Sequence, residues 1–147
     1  MESKILRGAY VKIAGRKHRL DKPTRKFSRS KKSRRKILEA TVEMLFRAFI
    51  RNRDKKCCTP DIRIKCGGPI QCGHLISGAG KSVRWDERFA FGQCRNHNKL
   101  HEYRPEVMTI WFINKFGKKL YHEGEYVAWT TKKHTLAELE ELAEKFK

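Results

Sequence analysis

Gly73-His74-Leu75-Ile76, then Arg84-Trp85-Asp86-Glu87, then Gln93-Cys94-Arg95-Asn96-His97-Asn98-Lys99-Leu100-His101-Glu102 are the stretches on which the fold turns. The first sets a histidine on a short strand-like segment. About twenty residues later Cys94-x2-His97 has the spacing of a zinc knuckle, and Asn98 and His101 follow at helical spacing. A zinc-stapled scaffold that holds one histidine beside a second site of oxygen and nitrogen donors is what a small phosphodiesterase needs. The pattern therefore predicts a metal-dependent nuclease.

A structural zinc site takes four ligands in a tetrahedron, usually from two short knuckles. Cys94 and His97 supply one. The other must come from Cys57, Cys58, Cys66 and Cys72. Cys66-Gly67-Gly68 reads as the second half of a knuckle, with glycines permitting the tight turn that presents a thiolate. Its partner is Cys57 or Cys58, across a gap longer than usual, with Cys57 slightly favoured. Cys66 with Cys72 is the competing pair. Five cysteines, an odd number, point to metal ligation with spare thiols rather than to a disulfide framework.

The chain has 147 residues, enough for one domain plus a tail, and carries 35 Lys and Arg against 16 Asp and Glu, a net charge of +19. Such a field attracts polyanions, nucleic acid first among them. Of these, 15 basic and 2 acidic residues fall within residues 1–36. Residues 1–32 are accordingly expected to be a basic, flexible arm lying along phosphates through Arg25, Lys26, Lys31 and Lys32, with Arg34 and Arg35 continuing the patch. A short strand at Tyr10, Val11 and Ile13 is expected before it. No run of 18 apolar residues occurs, so no membrane partner is expected, and Met1-Glu2-Ser3-Lys4 lacks the apolar region of a secretory signal.

The ordered domain is expected over residues 33–147. Ile37, Leu38, Val42, Leu45, Phe46, Phe49 and Ile50 recur at helical spacing and predict a helix of about twenty residues ending at Asp54. Residues 56–72 read as a loop and hairpin, residues 83–91 as a strand, and Cys94 to His101 as the turn into a helix. Pro105 suits the first turn of a helix over residues 106–116 that Gly117 can cap. Thr135 and Glu138 form a capping box ahead of Leu136, Leu139, Leu142 and Phe146. Trp85, Trp111 and Trp129 are read as core residues, and Asp86 as a turn cap.

Phe49-Ile50-Arg51-Asn52-Arg53-Asp54, Cys66-Gly67, Gly73-His74, Val83-Arg84-Trp85 and Gln93-Cys94-x2-His97-Asn98 resemble the NinG (Rap) proteins of lambdoid phages. The resemblance runs from about Phe49 to about Gly117 and more faintly to the C-terminus. It implies an α+β fold with a zinc-stapled ββα-metal, HNH-like nuclease core, flanking helices and a basic N-terminal arm. It also implies an endodeoxyribonuclease acting on D-loops and Holliday junctions during phage recombination. The partners implied are branched duplex DNA, a second copy of the chain if a junction is cut symmetrically, and a phage recombinase. The compartment is then the cytoplasm of the infected bacterial host. The site is similar in design to the endonuclease VII group, in which an Asn directly after the last zinc ligand binds the catalytic ion; Asn98 stands there. Five departures stand out. His97 replaces the family's last zinc cysteine, and the first knuckle carries an insertion. Gln71 replaces an Asp three residues before the strand histidine, and Phe89 stands where HNH patterns often carry an Asn that supports that histidine. The family histidine just after the knuckle Asn is shifted by one, onto His101.

The chemistry of the residues agrees with this assignment. His74, with an ordinary pKa near 6.5, can accept the proton of the attacking water. Asn98 and His101 are assigned to a catalytic Mg2+ or Mn2+ ion, and Arg84 and Lys99 to the scissile phosphate. Cys57 or Cys58, Cys66, Cys94 and His97 are assigned to one structural Zn2+. Two competing readings are a non-catalytic zinc-containing DNA-binding protein, in which His74 is structural, and a basic RNA-associated or assembly protein.

Overall fold

A computed structural model describes residues 10–13, 16–19, 33–59, 64–76, 81–130 and 132–147. Arg25, Lys26, Lys31 and Lys32 lie outside the described residues. The chain divides into two units, Met1–Lys31 and Lys32–Lys147. In the first, β1 (Tyr10–Ile13) pairs antiparallel with β2 (Arg16–Arg19), Val11 opposite His18. Arg16–Arg19, expected to lack order for want of apolar residues, thus has a backbone partner in the strand before it.

The second unit is α+β and mostly helical, with one small two-stranded sheet. Helix α1 (Arg34–Arg53) starts where the Ser33 hydroxyl accepts the Lys36 amide, and its Val42, Phe46 and Ile50 recur every fourth residue and are completely buried. It stops at Asp54, whose carboxylate accepts the Gly92 amide at 2.8 Å and so fastens the helix end to the sheet. That sheet pairs β3 (Ile70–His74) antiparallel with β4 (Ala90–Cys94), His74 opposite Ala90. Helix α3 (Arg95–Tyr103) leaves directly from the end of β4. Strand, strand and helix therefore form one continuous unit.

Residues 83–91 were expected to be a strand. They are instead the turn α2 (Lys81–Arg84), a 3-10 turn at Glu87–Phe89, and only then β4. Asp86 makes the difference: its carboxylate accepts the Arg88 amide at 3.0 Å and closes the turn.

Two apolar clusters hold the layers. In one, Val42, Phe46 and Ile50 of α1 pack with Trp85, Ala90 and residues Leu139, Ala143 and Phe146 on and just after α6 (Leu136–Lys145). In the other, Leu75, Val83 and Phe89 pack with Met108 and Phe112 of α4 (Pro105–Phe116) and with half-buried residues of α5 (Lys118–Trp129). Gly117 separates these two helices at φ 91°, a conformation that favours glycine. The capping box expected at Thr135 and Glu138 is present. Helix α5 was not anticipated from the sequence. Its Gly124 rests on the Phe89 ring, where a Cβ would come within 2.6 Å. Trp85 is buried and Trp111 half-buried, but Trp129 is 87% exposed, so it is no core residue. Among the described residues no helix is long and apolar enough to cross a membrane.

Candidate metal centre and adjoining histidine cavity

The side chains of Cys57, Cys66, Cys94 and His97 converge, with all four ligand atoms within 4.8 Å of one another. The His97 Nδ1 atom lies 3.1 Å from Cys94 Sγ and 3.5 Å from the sulfurs of both Cys57 and Cys66. Zn–S bonds of about 2.3 Å and Zn–N bonds of about 2.0–2.1 Å put a tetrahedral sulfur and nitrogen about 3.5 Å apart. The cluster therefore has the donor set and the spacing to hold a metal ion such as zinc. Cys57 fills the fourth position that the sequence left open between Cys57 and Cys58.

The backbone builds this arrangement. Gly68, at φ 76°, bends the chain after Cys66, and the Gly67 amide donates to Cys94 Sγ at 3.4 Å. The amides of Arg95 and Asn96 then donate to the carbonyls of Pro69 and Gly67, hooking residues 66–69 onto the first turn of α3. Burial disfavours a Cys94 thiolate, but the amides of His97 and Gly67 and the His97 ring outweigh it and bring the thiol down to about 6. Desolvation and the neighbouring Cys57 and Cys94 sulfurs push Cys66 up to about 11. A cation held among these three sulfurs and the His97 nitrogen would bind the cysteines as thiolates and offset their mutual repulsion. Cys58 and Cys72 are not in the cluster. Cys58 packs against the second apolar cluster and Cys72 against the first, and burial pushes them up to about 12 and 11. The competing Cys66–Cys72 pair is therefore not formed.

One turn further along α3 lies a second arrangement. His74, Asn98, His101 and Arg84 line one cavity of about 430 Å³. The His74 Nε2–H donates to the Arg84 carbonyl at 2.9 Å, and the ring stacks on Phe46 with centroids 6.0 Å apart. The carbonyl and the phenyl ring orient His74 where Phe89 replaces the expected Asn. Nδ1 is left as the basic nitrogen. Burial lowers the His74 pKa, with the Arg84 carbonyl opposing, so the ring is neutral at neutral pH.

Asn98 is oriented by Gln71, whose Oε1 accepts from Asn98 Nδ2 at 3.0 Å. This gives Gln71 a role at the position where an Asp was expected, and it turns the Asn98 Oδ1 away from that bond. Gly73 is required beside it: a Cβ there would lie 2.0 Å from Gln93 Oε1 and 3.0 Å from Asn98 Oδ1. His101 is 6% exposed, and among the described residues its Nε2 is a buried atom without a hydrogen-bond partner. Burial lowers its pKa as well, against a bond to the Leu75 backbone and the nearby Glu102.

The proposed phosphate contacts are placed less simply. Arg84 lines the cavity, but its guanidinium grips Glu43 at 2.7 and 3.2 Å. Despite its own burial, Glu43 is held down at about 2 by bonds from Arg84, Arg47 and Trp85. Lys99 is exposed on α3 and is not part of the cavity wall. Arg34 pairs with Glu140, and Arg35 donates to the His134 carbonyl, so both fasten α1 to the C-terminal segment. Sequence reasoning missed Glu43, Arg47 and Glu102, of which Arg47 and Glu102 line the cavity. The i, i+4 spacing of Glu43 with Arg47, and of Asn98 with Glu102, was the available signal.

Comparison of the chain with protein-family models, curated proteins and solved structures gives no match.

Proposed function

We propose that this protein is a metal-dependent DNA endonuclease with an HNH-like ββα core, akin to the NinG (Rap) proteins, acting on branched recombination intermediates. One observation carries the reading: His101, whose buried Nε2 has no partner among the described residues, lines one cavity with His74 and Asn98, one helical turn from a Cys3His cluster. A buried imidazole nitrogen without a partner costs stability, and a ligand in the cavity relieves that cost.

On this reading Asn98 Oδ1 and His101 Nε2 hold the catalytic ion. When bound, Mg2+ or Mn2+ supplies charge stabilisation to the scissile phosphate and its leaving oxygen. His74 takes a proton from the attacking water at Nδ1 while Nε2–H stays on the Arg84 carbonyl. The water oxygen bonds to phosphorus, the P–O3′ bond breaks, and the leaving O3′ takes a proton from solvent water, giving a 5′-phosphate and a 3′-hydroxyl. The neutral state of His74 suits it to this task near neutral pH. Arg84 and Arg47 reach the phosphate once Glu43 yields them, and the basic N-terminal residues attract the duplex. The protein then works in the cytoplasm of an infected bacterium beside a phage recombinase, as a dimer where both strands of a junction are cut.

A second reading, a zinc-containing DNA-binding protein without catalysis, draws on the same His74 contacts: a ring fixed by a carbonyl and a phenyl group is also what a structural histidine needs. Supercoiled plasmid and a synthetic four-way junction, incubated with Mg2+ or Mn2+, separate the two. The wild type is expected to cut both, and His74→Ala to cut at least about a hundredfold more slowly with junction binding retained. Equal weak nicking by the two proteins would leave the binding reading standing alone.

A further inference from the structure

Away from the histidine cavity runs a wider groove, about 1000 Å³ against about 430 Å³. Phe91, Trp111 and Phe116 form its floor, packed on one another with ring centroids 5.1 to 5.9 Å apart. Lys55, Lys56 and Lys115 stand on its rim. The other charges on the rim are already matched. Arg53 pairs with Asp54, Arg88 with Asp86 and Glu123, and Glu87 with Lys145. Among the described residues the three lysines make no ion pair, although Lys115 is close enough to Asp54 to lower its pKa, so the groove has an apolar bed and a net positive edge. Lys115 Nζ also sits 5.2 Å from the Trp111 ring centre and 5.3 Å from that of Phe116, which brings cation and aromatic surface side by side.

We propose that this groove binds an unpaired stretch of single-stranded DNA, with bases against Trp111 and Phe116 and backbone phosphates on Lys55, Lys56 and Lys115. Base stacking on aromatic side chains combined with a basic groove is how sequence-tolerant single-strand sites work. A continuous duplex hides its base faces and leaves the aromatic floor unused. A second copy of the chain is disfavoured, because a two-fold contact would bring the same lysine rims together. The wall of residues 55–58 includes Cys57, so the metal cluster also fixes the groove's shape. The proposal rests on the DNA-processing reading and deepens it: a branched substrate offers unpaired nucleotides next to a duplex.

The test measures anisotropy of a labelled oligo(dT) of about 12 nucleotides, and of a duplex of equal length, on the zinc-loaded full chain without Mg2+ or Mn2+. Trp111→Ala is expected to weaken oligo(dT) binding about tenfold. Lys55→Glu with Lys56→Glu, both exposed, is expected to weaken it similarly and to flatten its salt dependence, with bound zinc and circular dichroism as for the wild type. Duplex affinity should change less than about twofold. Unchanged oligo(dT) binding by the double lysine variant would overturn the proposal, as would groove variants that alter only the oligomeric mass. Normal DNA cutting by a protein that ignores oligo(dT) would remove the groove assignment alone, whereas a protein that binds neither DNA would remove the endonuclease reading with it.

Discussion

Helix α3 carries two histidines four residues apart with opposite surroundings. His97 meets three cysteine sulfurs from two separate chain segments, a donor set complete within the protein. His101, also buried, lines the cavity with His74 and Asn98, and its Nε2 has no hydrogen-bond partner among the described residues. A closed set of four ligands is the mark of a site that staples, and an incomplete one leaves coordination positions for water or substrate. On the proposed reading, the same helix supports one centre that fixes structure and another that takes part in chemistry.

The sharpest way to break this contrast is at the closed centre. Cys94→Ser removes a ligand at the end of β4 and the sulfur that accepts the Gly67 amide. Structural zinc is worth about 10–16 kcal/mol in small zinc-binding peptides, so the variant is expected to lose both bound metal and cooperative unfolding. Metal content and circular dichroism report this directly, and a normal melt without metal would show that the cluster is not a staple.

His101→Leu probes the open centre and should behave differently. The substitution removes the unpartnered Nε2 but also the ring's bond to the buried Leu75 backbone, so a stability cost of about 1–3 kcal/mol is expected, far below the loss at Cys94. Cleavage with Mg2+ or Mn2+ should nevertheless fall at least about tenfold, with the metal requirement shifted to higher concentration. A large drop in melting temperature with cleavage unaffected would reverse the roles given to the two histidines.

Glu43→Gln is the smallest change. The unfolded Glu43 titrates near 4.5 and the folded one at about 2, so its contribution is complete above pH 4.5 and is lost as the pH falls toward 2. The variant should lose about 1–3 kcal/mol at neutral pH and the part of the acid sensitivity that belongs to this window. Urea unfolding at pH 3 and pH 6 measures both. With Arg84 and Arg47 released, DNA binding should also tighten and depend more steeply on salt. Unchanged affinity would remove these two arginines from the phosphate contacts.

What was legible in the sequence follows from how local the cause is. Helix α1 was readable to within a residue because seven apolar side chains repeat at one period over twenty residues. The Cys94–His97 knuckle and the Thr135 capping box were readable because each depends on residues three apart. The choice of Cys57 over Cys58 was not, because it depends on how the chain returns across an insertion. Residues 83–91 misled because alternate apolar side chains mimic a strand while a single aspartate closes a turn. Helix α5 was hidden by Gly124, whose reason is the Phe89 ring on another element. The Glu43 ties to Arg84 and Trp85 join residues about forty positions apart, and no spacing rule reaches that far.

Cys94 ends a strand, precedes the first residue of α3 and belongs to the metal cluster, all at once. With no linker between β4 and α3, the rotational phase of the helix is inherited from the pleat of the sheet. One residue inserted between Cys94 and Asn98 would leave the strand pairing intact and swing His101 about 100° around the helix axis. The spacing from Cys94 to His101 is therefore a gear ratio, and chains built on this plan can vary the loop before the sheet far more freely than the seven residues that follow Cys94.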